Sequence, residues 1–126
     1  MKTKTISELH VEHEKWLKTL SFYDDEIKIL TKNLEDISRQ KNSHEVKAEI
    51  EHFQNQFILQ KEKVDELRHR IKDHENYLEH RIDENPVQSD VRKVNDHPKM
   101  REDMYEFEKI FTGLRHDFTS FEESAA

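Results

Sequence analysis

The segment Ile37-Ser38-Arg39-Gln40-Lys41-Asn42-Ser43-His44-Glu45-Val46 separates two long stretches of helical pattern and decides how they are arranged. Asn42 is followed three residues later by Glu45, which is the spacing of a helix-capping box. If the apolar spacing of the first stretch is extended past Ile37, it does not reach Val46, where the second stretch begins. The cap and the break in phase together predict a hairpin turn near residues 39–44. One continuous rod is the less favoured alternative, since no Gly or Pro marks the turn.

Before the turn, apolar or aromatic residues recur at spacings of three and four, as in a helix of a coiled coil or bundle. This first seam consists of Ile6, Leu9, Trp16, Leu20, Tyr23, Ile27, Leu30, Leu34 and Ile37. His13 fills its single gap. Thr5 and Glu8 have the capping-box spacing at its start. We therefore predict a first helix over residues 5–41.

The stretch after the turn has the same spacing. This second seam consists of Val46, Ile50, Phe53, Phe57, Gln60, Val64, Leu67, Ile71, His74 and Leu78. Pro86 disfavours helical backbone in the residue before it, so the second helix is predicted over residues 43–84. If the turn centres near residues 41–42, Tyr23 faces Gln60, and we predict a buried hydrogen-bonded pair.

A third helix is predicted over residues 98–122, after a loop at residues 85–97 that is rich in Asn, Asp, Ser and Pro. Pro98 suits a first helical turn, with Asp96 or His97 as the cap. Its seam is the most aromatic of the three: Met100, Met104, Phe107, Phe111, Leu114, Phe118 and Phe121. Residues 122–126 are predicted to fray. The predicted fold is all-α: one domain, residues 1–126, forming an antiparallel three-helix bundle with coiled-coil-like heptad packing.

Composition excludes several classes of function. The chain has no cysteine and no long apolar run, which excludes disulfides, thiolate metal sites and a membrane-spanning helix and makes a cytoplasmic location the default. The net charge of −7 comes without a basic face, so nucleic-acid binding is not expected. No Gly-rich phosphate loop or nucleophile elbow is present, and an enzymatic function is therefore disfavoured.

Polar residues inside the seams predict one candidate site. With the turn near residue 41 or 42, His13 faces residues 70–71 and His74 faces Leu9, so the two imidazoles lie within about 6 Å along the helix axis. His10 lies one turn before His13 on the same side of the helix. The flanking carboxylates are Glu12, Glu75 and, from the third helix, Asp103.

Such a group of imidazoles and carboxylates at one end of a bundle is typical of zinc, iron or manganese sites. The candidate metal ligands are His10, His13, His74, Glu12, Glu75 and Asp103. The favoured interpretation is structural, with His13 and His74 hydrogen-bonded to Glu12, Glu75 or each other. Metal binding is the first alternative, and a small-molecule site or a response to pH on protonation is the second.

Two segments, residues 6–20 and 67–78, each place a histidine among apolar helix positions and are loosely similar to hemerythrin-type cation-binding bundles. That resemblance implies cation binding at these histidines. Members of that family have four helices and a fuller set of inward histidine and carboxylate ligands than this chain presents. No family is assigned on this likeness.

Some apolar residues lie off the seams, which is unusual in so polar a chain. They are Leu17, Phe22, Ile29, Ile58, Leu59 and Ile110. A second packing surface of this kind predicts self-association, most simply as a dimer, or binding to a protein partner. The sequence thus predicts a non-enzymatic bundle that acts by protein–protein interaction or self-assembly, with a metal-binding bundle as the alternative.

Overall fold

The computed structural model describes residues 6–41, 43–84 and 97–125, and these residues form three helices without a strand. Helix α1 spans Ile6–Gln40, α2 spans His44–Glu84 and α3 spans His97–Ala125. The predicted all-α class is therefore confirmed. Within the described part of the chain, none of the helices combines the length and the apolarity needed to cross a membrane.

Ser43 caps the second helix, so α2 begins at His44, one residue later than predicted. The Val46 amide donates to the Ser43 hydroxyl at 3.3 Å, which is the contact of an N-cap residue with the third residue of its helix. The Lys47 amide donates to the Ser43 carbonyl at 3.0 Å and closes the first turn. The predicted cap residues Thr5, Asn42 and Asp96, and residues 85–96 of the predicted loop, lie outside the described residues.

The third helix is longer than predicted. It begins at His97, one residue before the predicted start, and continues to Ala125 rather than ending at residue 122. Phe121 is buried and Ala125 packs against the core, so the final turn has apolar contacts that oppose fraying. The prediction of a frayed tail was wrong for residues 122–125.

The seam residues form a single core between the helices. Its buried apolar members are Leu20, Tyr23, Ile27, Leu30, Leu34, Ile50, Phe53, Phe57, Val64, Leu67, Ile71, Met100, Met104, Phe107, Phe111, Leu114, Phe118 and Phe121. Trp16, Ile37 and Val46 are partly buried against it. Burying each large side chain stabilises the fold by roughly 1.5–3 kcal/mol relative to exposure.

Aromatic rings fill the core on the side of α3. Phe118 lies 5.2 Å from Phe53 and 5.2 Å from Phe57, with edge-on ring geometry in both pairs. Tyr23 lies 4.7 Å from Phe111 and 5.3 Å from Phe107, also edge-on. Such pairs add about 0.5–1.5 kcal/mol beyond the area they bury.

Ion pairs at the edges of the core connect the helices. Asp24 on α1, 9% exposed, contacts the Lys61 ammonium at 2.6 Å, and this hydrogen bond lowers the pKa of Asp24. On the other side of α1, Glu12 pairs with Arg101 at 2.9 Å, and Glu26 pairs with Arg115 at 3.1 Å. These contacts fix the position of α1 against both other helices.

The predicted hydrogen bond between Tyr23 and Gln60 is not made. Both residues are buried as expected, but the Tyr23 hydroxyl donates to Glu108 at 3.5 Å. The Gln60 amide oxygen has no hydrogen-bond partner among the described residues. Burial and the nearby negative charge of Glu108 raise the pKa of Tyr23.

Gly113, the single glycine of the chain, lies in the middle of α3 on its exposed side. A glycine inside a helix costs about 1 kcal/mol relative to alanine. Apart from its chain neighbours and the backbone of α3 itself, no described atom lies within 4 Å of the position that a Cβ at residue 113 would occupy. Packing within the described part of the chain therefore does not require a glycine there.

Removing the Ser43 cap is expected to destabilise the start of α2. Ser43→Ala leaves the Val46 amide without its side-chain acceptor and should lower the free energy of unfolding by about 1 kcal/mol, measured by urea denaturation. The matched control is Ser38→Ala, since Ser38 is exposed inside α1 and alanine has the higher helix propensity. Equal losses from the two variants would contradict the assignment of Ser43 as the cap.

Candidate histidine cluster between the first two helices

Helices α1 and α2 bring three imidazoles and one carboxylate into a continuous chain of contacts. His10 and His13 lie three residues apart and share one side of α1. His13 Nδ1 lies 2.5 Å from Glu75 Oε1, and His10 Nδ1 lies 2.6 Å from Glu75 Oε2. His74 Nδ1 lies 2.8 Å from His13 Nε2. The order of contacts is therefore His10, Glu75, His13, His74.

The contacts with Glu75 indicate which nitrogens of His10 and His13 carry hydrogen. An ionised carboxylate only accepts hydrogen bonds, so Glu75 receives one from Nδ1 of His10 and one from Nδ1 of His13. Between His13 Nε2 and His74 Nδ1, one ring donates and the other accepts, according to their tautomers. One carboxylate thus orients the Nδ1–H groups of His10 and His13.

His10 differs from the other two imidazoles because both of its ring nitrogens face carboxylates. Its Nε2 lies 3.2 Å from Glu14, one turn along α1, while Nδ1 faces Glu75. The hydrogen bond and then the negative charge of Glu75 raise the pKa of His10 above 6.5, with a smaller contribution from Glu14. The outer end of the cluster is therefore an imidazole, about half exposed, whose protonated form is favoured by two carboxylates.

The inner end of the cluster is buried. His13 is 0% exposed and His74 is 4% exposed, and the side chain of Glu75 is 15% exposed. The ring of Trp16 lies 5.8 Å from that of His13 and covers it on α1. A buried polar group costs roughly 1–3 kcal/mol when its hydrogen bond is removed. The contacts of Glu75 and His74 thus make burial of His13 tolerable.

The two buried histidines meet more directly than the sequence predicted. The expected offset placed residue 70 or 71 opposite His13, whereas its contacts are with His74 and Glu75, one helical turn farther along α2. The later start of α2, at His44 after the Ser43 cap, shifts the pairing in this direction.

Four of the six candidate ligands are brought together: His10, His13, His74 and Glu75. The other two carboxylates contact arginines. Glu12 accepts from Arg101 at 2.9 and 3.3 Å. Asp103 lies 2.9 Å from Arg70 and 3.4 Å from Lys99. Burial alone would raise the pKa of Asp103, but the hydrogen bond and charge of Arg70 lower it.

The donors of the cluster do not converge on one point. Glu75 and His74 contact opposite nitrogens of the same His13 ring, so they approach it from different sides. Among the residues whose positions are described, no group of three or more His, Asp or Glu side chains is placed to hold a metal ion. The arrangement observed is a hydrogen-bonded chain that crosses from exposed to buried.

Sequence reasoning missed Glu14 as a member of the cluster and Arg70 and Arg101 as partners of its flanking carboxylates. Glu14 lies four residues after His10, a spacing that places the two side chains together on a helix and that offered a usable signal. The arginine contacts depend on how α3 sits against α1 and α2. The sequence pattern carries no comparable signal for them.

Comparisons of the chain with protein-family models, with curated proteins and with solved structures give no match.

Replacing the central carboxylate should change both stability and titration. Glu75→Gln removes a charged acceptor from His13 and should lower the free energy of unfolding by about 1.5–3 kcal/mol. The pKa of His10, followed by NMR, should fall toward 6.5. Because the folded-state pKa of His10 is raised, its stabilising contribution is complete below about pH 6.5 and is lost as the pH rises through that pKa.

Glu62→Gln is the matched control for Glu75→Gln. Glu62 is exposed on the same helix, and no ion pair or hydrogen bond connects it to the other described residues. The control should leave the His10 titration unchanged and the free energy of unfolding within about 0.5 kcal/mol. An unchanged His10 pKa in Glu75→Gln would contradict the proposed charge arrangement.

Proposed function

We propose that this chain is a non-enzymatic helical bundle that acts by self-assembly or by binding another protein. The observation that supports it is a set of large apolar side chains that remain half exposed or more while the rest of the surface is strongly polar. They are Val11, Phe22, Ile29, Ile58, Leu59, Tyr105 and Ile110, with 52–68% of each exposed. Buried interface cores are enriched in such residues and depleted in charge.

Most of the off-seam apolar residues singled out from the sequence belong to this set. Leu17 is the exception, because it packs against the core. Single exposed apolar residues are ordinary in folded proteins. Here, several exposed apolar residues lie on three helices whose seam residues already fill a core. The fold of one chain does not bury these additional side chains. A second packing surface accounts for them.

We also infer the finer architecture, an antiparallel bundle with heptad packing. Two facts support it. His13 on α1 contacts residues 74 and 75, while the later Asp24 contacts the earlier Lys61, so residue numbers run in opposite directions along α1 and α2. Buried seam residues also recur at spacings of three and four on each helix. Such a rigid, elongated bundle suits the display of side chains to a partner.

Sedimentation tests the proposed function. The expected result is a mass that rises with concentration between about 1 and 200 µM, as for an assembly of micromolar affinity. The titration should be repeated at high salt, where association by apolar surface persists and contacts between surface charges weaken. A strictly monomeric chain throughout this range, with no protein retained on immobilised chain, would contradict the proposal.

A metal-binding bundle is the second candidate, favoured by the dense grouping of His10, His13, His74 and Glu75 in one cluster. Zinc, iron or manganese would replace at least one of the hydrogen bonds observed there. Elemental analysis of natively purified protein should then find about one ion per chain, and binding should weaken below about pH 6 as the imidazoles protonate. Absence of bound metal, with no thermal shift on metal addition, would remove this candidate.

A further inference from the structure

Gly113 is flanked by two opposite charges at equal distances along α3. Lys109 lies four residues before it and Asp117 four residues after it, and all three are exposed. Residues at i, i+4 and i+8 form one continuous ridge on a helix surface. The ridge therefore has a positive end, a centre without a side chain and a negative end.

Lys109 and Asp117 have no ion pair or hydrogen bond with any other described residue. Some other charged residues of α3 do have such partners: Asp103 contacts Lys99 and Arg70, Arg101 contacts Glu12, and Arg115 contacts Glu26. The contacts within one chain thus leave the two charges of the ridge available for contacts between chains.

The ridge borders a groove between α2 and α3. The groove has a volume of about 650 Å³, and its lining includes Gln56 and Ile110 together with the three ridge residues. Ile110 is 57% exposed, and Leu59 on α2, which lines the adjoining groove with Ile110, is 52% exposed. Apolar side chains and an open helix surface therefore lie directly beside the ridge.

We infer that this surface binds a second copy of the chain, with α3 crossing α3 of the copy in antiparallel orientation at Gly113. A twofold axis at Gly113 places each residue before it opposite the residue equally far after it in the copy. Lys109 then faces Asp117 of the second copy, and the same pair forms again on the other side of the axis. The inference rests on the self-assembly form of the proposed function.

Gly113 gives this crossing its geometric reason. Without a side chain at the crossing point, two helices can approach to about 8 Å between their axes, the close end of the usual range. The space around the missing Cβ is open in one chain, and the copy's helix would occupy it. The helix stability given up by a central glycine is thereby recovered between chains.

Self-complementarity is what favours a second copy over an unrelated protein. Twofold interfaces require the same surface to fit itself, and a ridge with opposite charges symmetric about a glycine meets that requirement. A crossing of two helices buries less than the roughly 1,200 Å² of a standard interface. We therefore expect a dimer that dissociates on dilution, with a Kd in the micromolar range.

Charge reversal tests the pairing by equilibrium sedimentation. Lys109→Asp alone, or Asp117→Lys alone, sets like charges opposite each other twice and should raise the Kd at least about tenfold. The double variant Lys109→Asp/Asp117→Lys restores both pairs with reversed sign and should bring the Kd back to within about threefold of wild type. Lys32→Asp, an equal change of charge on the exposed side of α1, should leave the Kd unchanged.

Gly113→Leu tests the crossing point. Leucine is a good helix former, and the Cβ position at residue 113 is open to solvent among the described residues, so the melting temperature of the variant should equal or exceed that of wild type. Its Kd should nevertheless rise at least about tenfold, because the leucine holds the two helices apart. Circular dichroism at low concentration verifies that the variant is folded.

The possible results separate this inference from the proposed function. Rescue by the double variant supports the dimer through α3. If the Kd is unchanged in both single variants, or if the double variant does not restore it, this interface is overturned. Self-assembly through another surface would then remain as the proposed function. A wild-type chain that stays monomeric overturns both this dimer and self-assembly as the function.

Discussion

The scarcity of apolar side chains constrains every part of this fold. Only 33% of the residues are hydrophobic, enough for one narrow seam on each long helix. Beside so narrow a seam, buried polar side chains are stabilised by partners that reach the core edge, although the Gln60 amide oxygen has none among the described residues. Glu75 does this for His13, and Lys61 does it for Asp24. Seam packing and these edge contacts therefore stabilise the helices together.

The helices were predictable because one physical rule, burial of a stripe on a 3.6-residue helix, generates the sequence pattern directly. The helix ends were less predictable. Asn and Ser both suit a cap, and the residue that acts as one is the residue whose side chain accepts a hydrogen bond from a backbone amide of the first turn. Ser43 makes that contact. The end of α3 at Ala125 depends on tertiary packing around Phe121, which no local pattern encodes.

The candidate cluster was predictable in part. A polar residue in each of two seams implies that His13 and His74 lie on the core side, and the predicted hairpin brings them to one end. To predict their direct contact, the exact offset of α2 along α1 would have to be known, and the position of the Ser43 cap determines that offset. To predict that Glu12 and Asp103 contact arginines, the rotation of α3 about its axis would have to be known, because that rotation determines both contacts. The directions of the four side chains of the cluster then determine whether they form a hydrogen-bonded chain or a set of ligands that converge on one point.

The two ion pairs between α1 and α3 have a consequence for how this architecture can vary in length. Fourteen residues separate Glu12 from Glu26, and fourteen separate Arg101 from Arg115, so the second pair repeats the first after the same four turns on both helices. Removing or inserting seven residues at matching positions in all three helices would keep both ion pairs and the apolar seams close to their present phase. A block far from a whole number of helical turns, such as five residues, would instead rotate charged side chains toward the core.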